Sequence, residues 1–276
     1  MRGNLKNRKT NNNPIGIFDS GFGGLTVMSE INKILPLESL IYFGDTAHIP
    51  YGTKSKGAVI KFSKEIASFL VKNRVKLIVI ACNTASAFAL SILKKTFDVP
   101  IIGVIESGAE ASVLASKSKN IGVIGTEGTV NSNSYINEIN KISKSNVYQQ
   151  ACPLFVPLVE EGWISGKIAD AVVKKYMAPL LKKHIDTLVL GCTHYPLLKG
   201  ILRKNVDKKI VFIDSAKTVA REVVKVLRQK SLLANKNGNK FLKFYVSDNP
   251  EKFQKIGNNF FWRKINNVRK VDMEQR

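Results

Sequence analysis

Two cysteines stand at the ends of two similar apolar runs. Cys82 closes "KLIVIAC", Cys192 lies in "TLVLGCT", and small polar residues follow each of them. A thiolate is a base and a nucleophile, and a helix N-terminus beside a thiol lowers its pKa. A lone buried cysteine is ordinarily a small hydrophobic residue of the core, which is the role we expect for Cys152. The matched setting of the other two predicts a pair of thiols that moves protons.

Three further side chains are candidates to assist the thiols. Asp19 could orient or accept a proton beside one thiol, and Glu160 or His194 could do so beside the other. The alternatives are ordinary: Asp19 as the N-cap of a following helix, and Glu160 as part of a solvated acidic surface. No chemistry is predicted for His48 and His184.

Other catalytic classes are poorly supported by the motifs. The segment "GFGGLT" has Thr26 where a dinucleotide-binding fingerprint needs glycine, and no Walker A sequence is present. Cys152, Cys192 and His194 are zinc-ligand types, but no C-x-x-C pair or H-E-x-x-H helix accompanies them. A thiol hydrolase built on Cys192 and His194 stays open, although it leaves the setting of Cys82 unexplained. We expect neither a metal nor a cofactor.

Short β-branched runs alternate with amphipathic segments along most of the chain. The candidate strands are 15–19, 40–45, 76–82, 100–105, 120–126, 146–152, 187–193, 209–215 and 241–248. Several are apolar on both faces, which is typical of parallel strands covered by helices. Between them, segments such as "DSAKTVAREVVKVLRQ" carry apolar residues at helical spacing, here after a candidate cap at Asp214 or Ser215. The pattern predicts an α/β fold with parallel sheets.

The sequence also contains a weak internal echo. "IGIFDSGFGG" begins at Ile15 and "IGVIGTEGTV" begins at Ile121, and each cysteine of the pair follows an apolar run within its own half. This spacing indicates two similar α/β halves that face each other.

The conspicuous motifs fall where predicted strands end. They are "DSGFGG", "GDTAHIPYG", "CNTAS", "GTEGT" and "CTHY". In open α/β sheets, ligands bind beyond the carboxyl ends of the strands, where helix N-termini present N–H groups. The small hydroxyl and amide side chains in these motifs suit a substrate that has carboxylate and amine groups.

The composition of the chain limits the cellular compartment and the kinds of binding partner that we expect. The chain has 276 residues, 44% of them hydrophobic, and three cysteines, which indicates a globular protein of a reducing compartment. Its formal net charge of +22 raises nucleic-acid binding as an alternative, but the lysines are scattered over helix faces and no aromatic stacking platform is interleaved with them. No secretory h-region or membrane span is evident, so we expect a soluble, cytoplasmic protein that does not bind membranes.

Taken together and in order, six motifs carry a specific resemblance. They are "GIFDSGFGGLTV", "YFGDTAHIPYG", "ACNTASA", "GTEGTVNSNSY", "ACPLFVPLVEEG" and "GCTHYPLL". With them the chain resembles glutamate racemases, of the cofactor-independent aspartate/glutamate racemase superfamily, from Ile15 to Asp248. The Asn/Lys-rich N-terminus and the basic C-terminus depart from the family pattern.

The resemblance implies an active site in the cleft between two α/β domains and a two-base mechanism. By analogy, Cys82 takes the α-proton from D-glutamate and Cys192 takes it from L-glutamate, with Asp19, Glu160 and His194 as auxiliary groups. The positions that match substrate-binding residues of the family are Asp19, Ser20, Tyr51, Gly52, Asn83, Thr84, Thr126, Thr129, Thr193 and His194. An aspartate racemase, or a decarboxylase with one catalytic cysteine, remains an alternative within the superfamily.

The expected organisation and partners follow from these observations. We predict a disordered tail over 1–13, a discontinuous first domain over 14–105 and 210–248, a second domain over 106–209, and a basic C-terminal extension over 249–276. The expected partner is the small-molecule substrate L- or D-glutamate, with D-glutamate supplied to peptidoglycan synthesis. A homodimer is left open, because no coiled coil or interface motif decides the oligomeric state.

Overall fold

The computed structural model describes residues 11–235 and 239–273, which contain two parallel β-sheets. The six-stranded sheet consists of β1 (Ile15–Asp19), β2 (Leu40–Gly44), β3 (Leu77–Ile80), β4 (Ile101–Gly103), β9 (Leu242–Val246) and β10 (Val268–Lys270). The four-stranded sheet consists of β5 (Asn120–Gly125), β6 (Asn146–Ala151), β7 (Thr187–Gly191) and β8 (Val211–Asp214). The predicted α/β class with two parallel sheets is confirmed.

The two sheets repeat one strand order. The larger sheet runs β10-β9-β2-β1-β3-β4 and the smaller runs β6-β5-β7-β8. Thus β1 and β5 hold equivalent central places, and so do β3 and β7. The internal echo of the sequence begins at β1 and β5, and the two cysteines of interest follow β3 and β7. The similarity of the two halves is therefore a property of the fold.

Eleven α-helices flank the sheets within the described residues. They are α1 (Leu25–Ile34), α2 (Lys56–Lys72), α3 (Asn83–Thr96), α4 (Val104–Ala115), α5 (Glu127–Asn131), α6 (Ser134–Ile142), α7 (Phe155–Glu160), α8 (Gly166–Leu181), α9 (Lys199–Asn205), α10 (Ser215–Gln229) and α11 (Pro250–Gly257). The predicted cap of α10 is present, because the Asp214 carboxylate accepts a hydrogen bond from Ala216 N–H at 3.0 Å.

Alternation along the central strands divides the core. On β1, Ile15 and Ile17 face a large cluster that includes residues of both sheets and of α1, α4 and α10, whereas Phe18 faces a second cluster with α2 and α3. A residue period of two places successive side chains on opposite faces of a sheet. The shared cluster joins the two halves through one continuous apolar core, which fixes how their strand ends meet.

The strand pairing shifts the predicted domain limits. β8 pairs with β7, so Val211–Asp214 belongs to the second sheet, although we predicted that residues from 210 onward return to the first domain. The predicted extension after 248 contributes α11 and β10, and β10 pairs with β9.

The N-terminal prediction is corrected in part. Residues 1–10 of the predicted tail lie outside the described residues. Within 11–13, the carbonyl of Asn11 accepts a hydrogen bond from Lys76 at 2.5 Å, and the Asn12 side chain accepts one from Asn235 N–H at 3.0 Å. These contacts tie the segment to the folded chain.

None of the helices in residues 11–235 and 239–273 combines the length with the apolar composition that a membrane-spanning helix needs.

Candidate active site

A cavity lies where the carboxyl ends of the two sheets meet. It has about 410 Å³ of atom-free space, part of which is open to solvent, and both Cys82 and Cys192 line it. Because β3 and β7 hold equivalent places, the thiols enter this space from corresponding positions of opposite halves.

Cys82 is the N-cap of α3. Its sulfur accepts a hydrogen bond from Ala85 N–H at 3.4 Å. Burial nevertheless raises the pKa of the Cys82 thiol to about 12, the charge of Asp19 raises it further, and Ala85 N–H and the Ser20 hydroxyl oppose these effects. The N–H groups of Ala85 and Thr84 at the helix N-terminus lower this pKa, as we expected, but the net shift is upward because desolvation outweighs them.

Cys192 follows β7 and lies beside a histidine–carboxylate pair. Its sulfur is 3.8 Å from His194 Nδ1, and His194 Nε2 is 3.1 Å from Glu160 Oε1. Burial raises the pKa of the Cys192 thiol, the N–H of His194 opposes this, and the charges of Cys82, Asp19 and Glu160 add to it. The net shift is upward here also.

The His194–Glu160 contact resolves which glutamate faces the site. Glu160 lines the cavity at the end of α7, whereas the next residue, Glu161, is exposed. The alternative reading of Glu160 as surface solvation is therefore excluded by its contact with a buried imidazole. Through this contact, Glu160 can stabilise a positive charge on the ring.

Asp19 ends β1 and is fully buried. Its Oδ2 accepts a hydrogen bond from Gly21 N–H at 3.0 Å, and it does not cap α1, whose N-cap is Gly24. Burial raises the pKa of the Asp19 carboxyl, while the charge of His194 and nearby backbone N–H groups lower it. Within residues 11–235 and 239–273, the Oδ1 atom of Asp19 has no hydrogen-bond partner.

Asn83 has a second unpaired group beside the cavity. Tyr135, on α6 of the other half, donates a hydrogen bond to Asn83 Oδ1 at 2.8 Å. Nδ2 of Asn83 is buried and has no partner in the described part of the chain. Buried polar atoms in native proteins are nearly always paired. An unpaired acceptor on Asp19 and an unpaired donor on Asn83 therefore indicate a ligand with both a donor and an acceptor.

Three threonine hydroxyls bridge the two halves. Thr84 Oγ1 lies 2.8 Å from Thr126 Oγ1 and 3.2 Å from Thr129 Oγ1, and the last two are 3.0 Å apart. The turn at Gly52 also approaches Thr126, since a Cβ on Gly52 would lie 2.7 Å from the threonine Cβ. These contacts hold the N-termini of α3 and α5 against each other.

A second set of contacts joins the loop after β1 to the residues that follow Cys192. Thr26 Oγ1 donates to the Gly23 carbonyl at 2.8 Å and lies 3.3 Å from the carbonyl of Thr193, and a Cβ on Gly23 would lie 2.2 Å from Thr193 Oγ1 and 2.5 Å from His194 Nδ1. Only glycine permits so close an approach. The loop after β1 thus packs directly on the residues that follow Cys192.

Sequence reasoning missed the carboxylate that holds Tyr51. Asp45 is buried and accepts hydrogen bonds from Tyr51 at 2.5 Å and Ser247 at 2.7 Å. His48, for which we predicted no role, lies with Nδ1 2.9 Å from Asp45 and stacks on Phe62. The signal was available, since Asp45 ends a predicted strand within "YFGDTAHIPYG".

The structure brings most of the predicted site residues to one cavity. Of the thirteen, those that line it are Ser20, Tyr51, Gly52, Cys82, Asn83, Thr84, Thr126, Glu160, Cys192, Thr193 and His194. Asp19 and Thr129 lie behind this lining, and the added lining residues are Gly21, Ile49, Pro50, Val156 and Gly191. Cys152 is buried but does not line the cavity, in keeping with its predicted core role. In the described ranges, no group of three or more His, Cys, Asp or Glu side chains is arranged to hold a metal ion.

Comparison with known proteins places the chain among related sequences and structures. The model of the Asp/Glu/Hydantoin racemase family matches residues 15–223. A glutamate racemase from Geobacter metallireducens is 49% identical over 263 residues, which cover 94% of this chain and 97% of the relative. A crystal structure of glutamate racemase from Francisella tularensis in complex with D-glutamate is 40% identical with a TM-score of 0.91, and the match covers 96% of this chain and 100% of that one. The Escherichia coli glutamate racemase in complex with L-glutamate is 26% identical with a TM-score of 0.76, and the match covers 94% and 98% of the two chains.

Proposed function

The chain belongs to the Asp/Glu/Hydantoin racemase family and is a glutamate racemase-type isomerase, and from this premise we propose that it interconverts L- and D-glutamate with Cys82 and Cys192 as the two bases. A single base returns a proton to the face from which it took it, so inversion at one carbon needs a base on each face. The observation that carries this proposal is that two thiols from equivalent places in opposite halves line one cavity.

The unpaired polar atoms at the cavity lining and behind it match the groups of an amino acid. Asn83, which lines the cavity, offers its Nδ2 as a donor to a carboxylate, and Asp19, buried behind the lining, adds an unpaired acceptor, Oδ1, on the side where an α-ammonium group would lie. Hydrogen bonds to charged groups are worth about 1.5–3 kcal/mol each. Preorganised donors aimed at the carboxylate also stabilise the negative charge that develops when the α-proton leaves. Ser20, Thr84 and Thr193 add hydroxyls on the same lining.

The two thiols take up one proton and release one proton in each turnover. With L-glutamate, the Cys192 thiolate takes the α-proton and becomes a thiol, while the Cys82 thiol gives its proton to the opposite face of the carbanion and becomes a thiolate. The reverse direction exchanges their roles, so no proton is gained or lost overall. His194 lies 3.8 Å from Cys192 and is the group placed to hold the proton of that thiol before reaction, with Glu160 against its other nitrogen.

Burial gives the thiolate its strength as a base. Burial raises the pKa of Cys82 to about 12 and also raises the pKa of Cys192, so both thiols favour the protonated form at neutral pH. A bound α-ammonium group brings a positive charge that favours the thiolate. A desolvated thiolate formed in this way is a stronger base towards the α-carbon than one in water.

The relatives bound to D-glutamate and to L-glutamate support glutamate as the substrate. We further propose that the D-glutamate formed supplies peptidoglycan synthesis, the role of the family that the motifs resemble. An aspartate racemase remains the competing assignment, and comparison of kcat/KM on the two amino acids distinguishes them.

Hydrogen exchange in deuterated water tests the reaction. Purified protein without added cofactor should incorporate deuterium at the α-carbon of L-glutamate and bring the optical rotation to zero. The absence of both exchange and racemisation, in a protein that is folded by circular dichroism, would overturn the proposal.

Cysteine variants test the two-base assignment. Cys82→Ser and Cys192→Ser should each abolish racemisation, because a serine hydroxyl is far less acidic than a thiol. Each should keep one-sided elimination from the enantiomer of 3-chloroglutamate that its remaining thiol can attack. Cys152→Ser is the matched control, since Cys152 is buried outside the cavity, and it should racemise glutamate. Wild-type racemisation by Cys192→Ser would show that the assignment is wrong.

A further inference from the structure

The C-terminal segment reaches the back of the active site. Phe260, three residues after α11, packs edge to face on His194 with ring centroids 5.2 Å apart and an interplanar angle of 79°. Only 6% of Phe260 is exposed. It lies in the C-terminal segment 249–276, which we predicted to be a basic extension.

The segment that carries Phe260 is firmly held. Phe260 N–H donates to the Gly257 carbonyl at 2.9 Å, and its own carbonyl accepts from the Ser29 hydroxyl of α1 at 3.4 Å. Seven residues earlier, Phe253 packs on Phe22, which belongs to the loop after β1. The phenyl ring is therefore a fixed wall rather than a mobile cover.

His194 needs such a wall. Glu160 holds only Nε2, so the imidazole could still pivot about that contact and carry Nδ1 away from Cys192. Gly23 blocks the pivot on one side, because it packs against Nδ1 and Cε1. The phenyl ring of Phe260 also contacts the His194 imidazole, which is only 5% exposed to solvent.

We propose that Phe260 is a positioning residue, which holds the His194 imidazole in the orientation that serves Cys192. This inference rests on the proposed two-cysteine reaction and deepens it, because it makes the C-terminal segment part of the machinery of one half-reaction. Phe260 is not among the residues that line the cavity, and its ring contact is with His194 beside Cys192, so we expect its effect to be larger on the Cys192 side than on the Cys82 side.

Phe261 provides a matched control. It is the adjacent phenylalanine, it is also 6% exposed, and it packs on Phe244 and Trp262 instead of His194. Replacement of either ring by leucine removes similar buried apolar contact from the same segment. A merely structural role of the segment would give the two variants the same kinetic phenotype.

One-sided elimination separates the two half-reactions. In 3-chloroglutamate, a thiolate takes the α-proton, the C–H electrons form the Cα–Cβ double bond and chloride leaves with its bonding pair; the enamine then tautomerises, and water hydrolyses the imine to 2-oxoglutarate and ammonia. Cys192 serves the L-configured compound and Cys82 serves the D-configured one. Racemisation itself cannot separate them, because every turnover uses both thiols.

The experiment compares Phe260→Leu, Phe261→Leu and the wild type on both enantiomers, with 2-oxoglutarate release as the readout. Phe260→Leu should lower the rate on the L compound about threefold to tenfold, as expected for a side chain held off its rotamer, and change the rate on the D compound by less than about twofold. Phe261→Leu should not alter the ratio of the two rates. Equal loss on both compounds, or an unchanged ratio in Phe260→Leu, would overturn the inference.

Two further measurements keep the outcome decisive. If Phe260→Leu does not fold, Phe260→Met retains more contact area and takes its place in the same comparison. If Cys192→Ser still catalyses elimination from the L compound, that result contradicts the proposed two-cysteine reaction. It does not by itself contradict the contact-based role of Phe260.

Discussion

The hydrogen bond between Tyr135 and Asn83 connects the two halves, and the substitution Tyr135→Phe tests it by removing a single oxygen atom. The Tyr135 hydroxyl donates to Asn83 Oδ1 at 2.8 Å, and both side chains are buried. This bond fixes the amide so that the unpaired Nδ2 is free for a substrate carboxylate. Tyr135→Phe removes the hydroxyl, leaves Oδ1 buried without its donor, and allows the amide to turn.

The size of the effect follows from the two bonds involved. A buried acceptor that loses its donor costs about 1–3 kcal/mol of stability. A hydrogen bond from Nδ2 to a carboxylate is worth about 1.5–3 kcal/mol, which corresponds to about 10- to 150-fold in kcat/KM. We therefore expect Tyr135→Phe to lose stability within that range and to lose at least about tenfold in kcat/KM for glutamate in both directions.

Urea unfolding and steady-state racemisation measure the two quantities. Tyr195→Phe is the matched control: its hydroxyl is also buried and donates to a carbonyl, that of Cys152, at 3.1 Å. It should lose similar stability but keep the KM of the wild type. If Tyr135→Phe keeps the kcat and KM of the wild type, the role given to Asn83 Nδ2 is refuted, whatever the change in the free energy of unfolding.

Three further outcomes are expected. Gly23→Ala places a Cβ 2.2 Å from a hydroxyl of the site and should lower kcat about 100-fold by displacing it, whereas Gly57→Ala, with no heavy atom within 4 Å of the new Cβ, should keep wild-type activity. Lys76→Met should cost about 3–5 kcal/mol in urea unfolding because it leaves Glu38 buried and unpaired, and adding Glu38→Gln should restore part of the loss. The three buried thiols have raised pKa values, so above about pH 8.5 the folded state keeps protons that the unfolded chain loses. The free energy of unfolding should therefore fall above this pH by up to about 1.4 kcal/mol per pH unit for each thiol. Cys152→Ala should remove the share of one thiol, and so make the slope between pH 9 and 10 shallower by up to about 1.4 kcal/mol per pH unit.

Periodicity was sufficient to predict the architecture but not the limits of its parts. β-branched runs apolar on both faces predicted parallel strands, and each of the nine predicted segments contains a strand. The run 100–105 was predicted too long, because Val104 and Ile105 already belong to α4. The assignment of β8 to the second sheet depends on which neighbour it pairs with, and a hydrophobic run alone contains no information about its partner.

The site was predictable where its residues lie at strand ends. Cys82, Asn83 and Thr84 follow β3 directly, so the rule that ligands bind beyond carboxyl strand ends locates them. Tyr135 and Phe260 contact Asn83 and His194 from a helix and a C-terminal segment far from those ends, and no local pattern marks such contacts. The net direction of the thiol pKa shifts was predicted wrongly, since burial depends on the packed cavity and not on the helix that follows the cysteine.

The two halves share a strand order but provide unlike surroundings for their thiols. Cys82 caps a helix of fourteen residues, whereas Cys192 lies beside His194 and Glu160. L- and D-glutamate have equal free energies in water, so kcat/KM must be equal in the two directions whatever the surroundings. The asymmetry can therefore appear only in kcat and KM taken separately, and in reactions that need one thiol. Under the proposed two-cysteine reaction, in which Phe260 and Glu160 serve the Cys192 side, changes at either residue should alter the L-to-D ratio in elimination and leave that ratio at unity for racemisation at low substrate concentration.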